Sequence, residues 1–308
     1  MTKILLLGKN GQVGFELHRA LQPLGQVLAL NRNTNQDGHC GDVADFNAIS
    51  SVIDDYQPDV IVNATAYTAV DNAETDTDNA DLINHLAVKH LAFCAKKINA
   101  LLIHYSTDYV FDGQGDEAWI ENDTTNPINH YGYSKRQGEI ALENSGCSFI
   151  NIRTSWVYGV YGHNFLKTML KLGKERDTLN IINDQIGSPT PAFLIADITA
   201  HILQTYQHSS NFDKNGFIGH YHLAPSGYCS WYDYAQFIFN TARKLNIELK
   251  VNMVNPIPTS DYPTPAKRPL NSRLNCDKLK TQFNISLPHW QFGVEQVLKT
   301  LTQSENQS

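Results

Sequence analysis

A short apolar run that ends in three evenly spaced glycines restricts the fold more than any other feature of the chain. Ile4-Leu5-Leu6-Leu7 leads into Gly8-Lys9-Asn10-Gly11-Gln12-Val13-Gly14, and Phe15, Leu17 and Leu21 then recur at helical spacing. The pattern predicts strand, tight turn, helix. Gly8 permits the turn, Gly11 lets a pyrophosphate approach the backbone at the positive end of the helix, and Gly14 lets helix and strand pack closely. Gln12 and Val13, lying between the glycines, are counted with them as residues facing a dinucleotide. The spacing is Gly-x-x-Gly-x-x-Gly, not the commoner Gly-x-Gly-x-x-Gly, but the flanking strand and helix supply the context that gives the motif meaning.

The alternation continues. Val27 to Leu30 reads as a second strand, whose end should lie near the adenosine ribose of the dinucleotide. An acidic residue there would hold the 2′-hydroxyl of NAD; Asn31-Arg32-Asn33 stands in its place. This favours NADPH, with Arg32 pairing with the 2′-phosphate and NADH as an alternative donor. Gly41-Asp42-Val43 follows, where Asp42 is either a partner of the adenine amino group or the N-terminal cap of the next helix. That helix places Phe46, Ile49, Val52, Ile53 and Tyr56 on one face. Val60 to Asn63 is an apolar strand suited to a parallel sheet buried on both faces. It opens into Ala64-Thr65-Ala66-Tyr67-Thr68-Ala69-Val70-Asp71, whose small residues allow close approach of a cofactor. A helix from Leu82 to Ile98 and a strand from Leu101 to Tyr105 follow, then Ser106-Thr107-Asp108-Tyr109. The fold class is therefore α/β, with a Rossmann-type doubly wound parallel sheet. Ligands in such a sheet sit beyond the carboxyl ends of the strands, where Thr107 has a hydroxyl to offer a substrate carbonyl.

Tyr131 and Lys135 lie in Asn126-Pro127-Ile128-Asn129-His130-Tyr131-Gly132-Tyr133-Ser134-Lys135, a loop running into a helix. At i, i+4 spacing the phenol and the ammonium share one helix face. A free tyrosine, with a pKa of about 10, is a poor acid near neutrality, and a fixed cation beside it is expected to lower that value. The pair is a candidate general acid. Tyr133, two positions from Lys135, lies off that face. Taken alone, Tyr-x-x-x-Lys is more often only a solvated helix surface; the crevice built by the rest of the chain gives it chemical meaning.

At 308 residues the chain is long enough for one large α/β domain and a smaller one. The division expected is residues 1–160 plus about 184–208 for the dinucleotide-binding part, and about 161–183 plus 209–308 for a smaller substrate-binding part. In the latter, helices are predicted from Asn164 to Lys174, Ser230 to Leu245 and Gln291 to Leu301, and strands at Asn180 to Ile182 and His220 to Leu223, while Thr190 to Tyr206 reads as a helix returning to the sheet. Ser209 to Gly216 reads as a polar surface loop, Pro256 to Pro269 as a stiff extended loop, and Gln303 to Ser308 as a polar tail. No apolar run approaches the roughly 20 residues of a membrane span. With no signal-peptide pattern and five scattered cysteines, a cytoplasmic location is expected. A net charge of −7 argues against nucleic acid as a partner. No cluster has metal-ligand spacing; His220 and His222 share a strand face without a third ligand.

Together Gly8 to Gly14, Asn63 to Asp71, Ser106 to Gly113 and Tyr131-x-x-x-Lys135 resemble the extended short-chain dehydrogenases/reductases. More narrowly the chain resembles the dTDP-4-dehydrorhamnose reductase family, through Arg153-Thr154-Ser155-Trp156, Asp184 to Thr190 and Tyr262 to Leu274. The resemblance implies NADPH-dependent reduction of the 4-keto group of dTDP-4-dehydro-L-rhamnose to dTDP-L-rhamnose, a step in cell-surface polysaccharide and lipopolysaccharide biosynthesis. It implies Tyr131 as proton donor to the developing alkoxide, Lys135 as holder of the nicotinamide ribose, and Thr107 as the group orienting the carbonyl. It places Val70, Asp108, Tyr109 and Trp156 on the substrate side, where core packing is an equal reading of Trp156. Many superfamily members carry Ser where Thr107 stands, which draws attention to Ser106. Lys267, Arg268 and Arg273 offer cations to a sugar-nucleotide diphosphate, with Arg268 the chosen candidate. The resemblance is compatible with a homodimer. Other members act on other nucleotide sugars as reductases or epimerases, and the subfamily is also similar to a non-catalytic regulatory subunit of methionine adenosyltransferase. The presence of Thr107, Tyr131 and Lys135 favours an enzyme.

Overall fold

The structure is a computed structural model and describes residues 1–305. From the first glycine turn, β1 (Lys3–Leu7) passes into α1 (Gln12–Ala20). There follow β2 (Gln26–Leu30), α2 (Phe46–Tyr56), β3 (Val60–Asn63), α3 (Ala87–Lys97), β4 (Leu101–Thr107), α4 (His130–Ser145) and β5 (Phe149–Thr154). The remainder contributes α5 (Phe165–Glu175), β6 (Thr178–Ile182), α6 (Ala192–His208), β7 (Gly219–His222), α7 (Trp231–Lys244), β8 (Met253–Ile257) and α8 (Trp290–Glu305).

Six strands form one parallel sheet in the order β7-β5-β4-β3-β1-β2. It is the doubly wound, Rossmann-type sheet expected from the alternation. Because strand side chains alternate, Ile4 and Leu6 pack with Leu17, Ile195 and Ile202 on one face. Leu5 and Leu7 pack with Ile49, Val52, Leu91 and Leu142 on the other. Two covered faces explain why β3 and β5 are buried along their whole length. A third core gathers Tyr158, Leu166, Met169, Tyr234, Phe239, Trp290 and Leu298, joining α5, α7 and α8 with the β6–β8 pair.

Several local expectations are corrected. β7, expected in the smaller part, is the sixth strand of the sheet, aligned from Gly219 opposite Ile150 to His222 opposite Arg153. Its polar alternation disguises it, because His220 and His222 are satisfied by neighbours: His220 Nδ1 meets Asn151 Nδ2 at 2.9 Å and His222 Nδ1 meets the Trp119 carbonyl at 3.0 Å. Residues 211–216 form a short helix, not a loop. Pro256 lies in β8 opposite Ile181, in a two-stranded ribbon whose open edge tolerates the missing N–H. The helix read from Leu82 to Ile98 begins as a π turn, Leu82–Leu86, before α3. α8 continues to Glu305, and the rest of the expected tail lies outside the described residues. The cap of α2 is Asp45, which accepts from Ala48 N at 2.9 Å, so Asp42 does not have that role. Among the described residues no helix is long and apolar enough to cross a membrane. The five cysteines are free.

Candidate active site

The strand order reverses between β1 and β3, which opens a crevice at their carboxyl ends. A cavity of about 400 Å³ lies there. Its lining includes Gly8, Gly11, Asn31, Arg32, Asp42, Val43, Ala64, Thr65 and Ala66, all singled out from the sequence, together with Asn10, Asn33, Gly41 and Ile83, which were not. Gly8 adopts φ +87°, a left-handed conformation that favours glycine. A Cβ on Gly14 would overlap the Gly8 carbonyl oxygen, so only glycine lets α1 start against the turn. Gln12, Val13 and Gly14 are not part of the lining. The Gln12 side chain accepts from Asn164 Nδ2 at 2.9 Å, and Val13 packs on the sheet core. What these three have to offer a ligand is the N–H groups of a helix start, which lack partners within the helix.

Tyr131 and Lys135 come from the first turns of α4. Asn129 caps that helix by accepting from Gly132 N at 2.8 Å, while its amide donates to the Lys267 carbonyl at 2.8 Å. A Cβ on Gly132 would overlap the Tyr109 carbonyl oxygen, so this glycine sets how closely the helix approaches the segment after β4. The Tyr131 and Tyr109 rings meet edge to face, 5.7 Å between centroids. The Thr107 hydroxyl acts on the Tyr131 phenol, favouring its ionised form against burial. Thr107 donates to Asp108 Oδ1 at 3.0 Å and accepts from Tyr109 N at 3.2 Å. Ser106 is buried, and its hydroxyl has no hydrogen-bond partner.

The electrostatics differ from the expected lowering of the tyrosine by the lysine. Burial pushes the Tyr131 phenol up to about 12, with the Thr107 hydroxyl pulling the other way. Lys135 is itself buried, which brings its ammonium down to about 8 against the upward pull of Glu139. Its Nζ donates to the Tyr105 carbonyl at 2.6 Å and lies 3.3 Å from His104 Nε2, so its charge is spent on the strand and not on the phenol. Burial raises the Asp108 carboxyl to about 7, opposed by the Ser272 and Thr107 hydroxyls.

Arg268 pairs with Asp71 at 2.8 Å and keeps a buried Nη1 without a partner. Its charge acts on Tyr109, which in turn borders Tyr131. Val70, half-buried, immediately precedes Asp71. Trp156 has φ +49°, unusual for a bulky residue, and stacks on Trp231 with centroids 3.6 Å apart. It also contacts the third core, in keeping with the packing reading. Asn84 has no signal in the sequence beyond a polar residue within an apolar helical pattern. The π turn buries it, where its amide oxygen accepts from Tyr67 N at 2.9 Å and its NH2 donates to the Tyr67 carbonyl and Ser134 Oγ, both at 3.0 Å. It thus ties the loop after β3 to α4.

The family described as RmlD substrate binding domain matches residues 1–303. The chain belongs to this family. It is 48% identical over 298 residues to a dTDP-4-dehydrorhamnose reductase of Escherichia coli K12, covering 97% of each chain. It is 45% identical over 295 residues to the Burkholderia thailandensis protein of the same name, covering 95% of this chain and 96% of that one. A crystal structure of the Bacillus anthracis dTDP-4-dehydrorhamnose reductase in complex with NADP superposes with a TM-score of 0.87 at 32% identity, over 97% of this chain and all of that one. Membership in the family thus agrees with the resemblance carried by the motifs.

Proposed function

We propose that the chain is an NADPH-dependent oxidoreductase that reduces the 4-keto group of dTDP-4-dehydro-L-rhamnose to give dTDP-L-rhamnose. One observation carries this reading: the segment that follows Thr107 packs directly on the helix of Tyr131 and the buried Lys135, in a family whose relatives bear that activity in their names. The crevice fits a dinucleotide, since Gly8 and Gly11 leave backbone uncovered where a pyrophosphate would lie and no carboxylate follows β2. Arg32, Asn31 and Asp42 are read as the adenosine end, with Arg32 on the 2′-phosphate. Bound there, NADPH supplies the hydride.

The chain's own residues supply the proton and the orientation. Burial keeps Tyr131 protonated at neutral pH, so it holds its proton until negative charge develops on the sugar C4 oxygen and then transfers it there. Thr107 orients the carbonyl from the same side, and Lys135 holds the nicotinamide ribose. Asp108, Tyr109, Val70 and Trp156 are read as the sugar side, and Arg268, with its unpartnered Nη1, as the diphosphate ligand. The sheet part then serves the cofactor and the third core the sugar nucleotide. A cytoplasmic location, supported by five free thiols, and a homodimer, supported by Phe93 standing exposed on α3, complete the proposal. The test is incubation with NADPH and dTDP-, UDP- or GDP-linked 4-keto-6-deoxy sugars, with product analysis by mass spectrometry. Reduction of the dTDP sugar alone is expected; preference for another nucleotide overturns the substrate assignment.

A further inference from the structure

His104 lies in the middle of the apolar strand β4 and Asn63 ends the neighbouring β3, opposite it in the register. Both are buried. The Asn63 amide has only one orientation available, because its Oδ1 accepts from the backbone N–H of Thr65 at 3.1 Å and from Thr65 Oγ1 at 2.6 Å. A backbone N–H is always a donor, so the other end of the amide, 3.2 Å from His104 Nδ1, is the NH2 group. His104 Nδ1 must therefore accept. Burial holds the imidazole well below its usual range, so it is neutral and carries a single proton. That proton falls on Nε2, the nitrogen 3.3 Å from Lys135 Nζ.

An N–H aimed at a lysine nitrogen makes a hydrogen bond only with the lone pair of the free amine. An ammonium in the same place would face a second donor. We propose that His104 is a positioning residue of the reaction, its Nε2–H directed at Lys135 Nζ so that the amine form of Lys135 is favoured. This rests on the reading of Lys135 as a member of the site. The groups facing Lys135 are consistent with it. On α4 this is Glu139; on β4, His104 and the Tyr105 carbonyl. Arg153 of β5 is held on Glu139, and His220 of β7 also acts on Glu139. Glu139 and the Tyr105 carbonyl favour the ammonium, but Arg153, Arg136, Asn151 and His220 already share the Glu139 charge.

The first test is a long-range 1H–15N correlation on the protein without cofactor or substrate. His104 is expected to show a protonated Nε2 and a bare Nδ1; a proton on Nδ1 overturns the proposal. The second is the pH profile of kcat/KM. His104→Phe keeps the ring volume but has no N–H, so the alkaline limb assigned to Lys135 should move up by about one pH unit, the size of one ordinary hydrogen bond. Asn63→Asp sets an acceptor opposite Nδ1, which draws the proton there and turns Nε2 toward accepting from the ammonium. It should exchange the two 15N signals and also raise the limb. A limb unmoved in both variants, with both folded by circular dichroism, refutes the coupling. The tautomer is read without turnover, so it stands or falls apart from the proposed activity.

Discussion

The helix that carries Tyr131 and Lys135 is fixed to the sheet by one buried ion pair, and Glu139→Gln tests what that pair contributes. Arg153 Nε and Nη2 each donate to a different Glu139 oxygen at 2.8 Å, and both side chains are almost wholly out of solvent, at 3% and 0% exposure. Asn151 and Arg136 donate to the same carboxylate at 3.1 and 3.2 Å. Glutamine keeps the shape but loses the charge, and turns an NH2 toward the guanidinium. Breaking a buried pair from one side costs about 3–5 kcal/mol, because the remaining charge stays buried without compensation. At roughly 2 °C per kcal/mol for a chain of this length, the melting temperature should fall about 6–10 °C at pH 7. The pH dependence supplies a second arm. Against burial, which pushes it up, Arg153 and, less strongly, His220 hold the Glu139 carboxyl down at about 2, below its ordinary 4.5. A depressed carboxyl stabilises the fold fully above its unfolded value and loses that contribution as pH falls toward the folded one. The gap between wild type and variant should therefore narrow as pH drops from 4.5 toward 2. Calorimetric or circular-dichroism melts over this range measure it. A drop at pH 7 too small to resolve, or a gap that stays constant with pH, refutes the assignment of stability to this pair. Replacing both partners by apolar residues, Glu139→Leu with Arg153→Met, should recover most of the loss.

Two further outcomes concern the cofactor crevice. Gly14→Ala pushes a Cβ into the Gly8 carbonyl and moves α1 off the turn, so NADPH affinity measured by titration calorimetry should fall about tenfold or more, roughly 1.4 kcal/mol; unchanged affinity refutes the packing role. Arg32→Ala removes the cation after β2 and should lower the NADPH/NADH ratio of kcat/KM about 10- to 100-fold, the worth of one hydrogen bond to a charged group. An unchanged ratio there refutes the 2′-phosphate assignment.

The sheet is legible in the sequence because its strands are apolar runs between glycine turns and amphipathic helices, and both faces demand burial. Nine of the residues lining the crevice are readable for the same reason: position after a strand determines access to the switch point. Side-chain direction is less readable. Gln12 and Val13 lie between the glycines in sequence, yet helix rotation sends one to Asn164 and the other to the core. β7 escapes placement because its histidines are satisfied by partners distant in the chain, Asn151 and the Trp119 carbonyl. Asn84 is hidden because one π turn changes which face of the helix it occupies. The tyrosine–lysine pair is visible as a spacing, but its electrostatics depend on burial and on the Tyr105 carbonyl, which no local pattern encodes.

The most direct measurement follows NADPH oxidation by the absorbance of its dihydronicotinamide, with enzymatically generated dTDP-4-dehydro-L-rhamnose, for wild type and Tyr131→Phe. With the proton donor removed, turnover should fall about 100-fold or more, in line with the usual worth of a positioned general acid, while NADPH binding is retained. Undiminished turnover in the phenylalanine variant would contradict the central claim that Tyr131 delivers the proton.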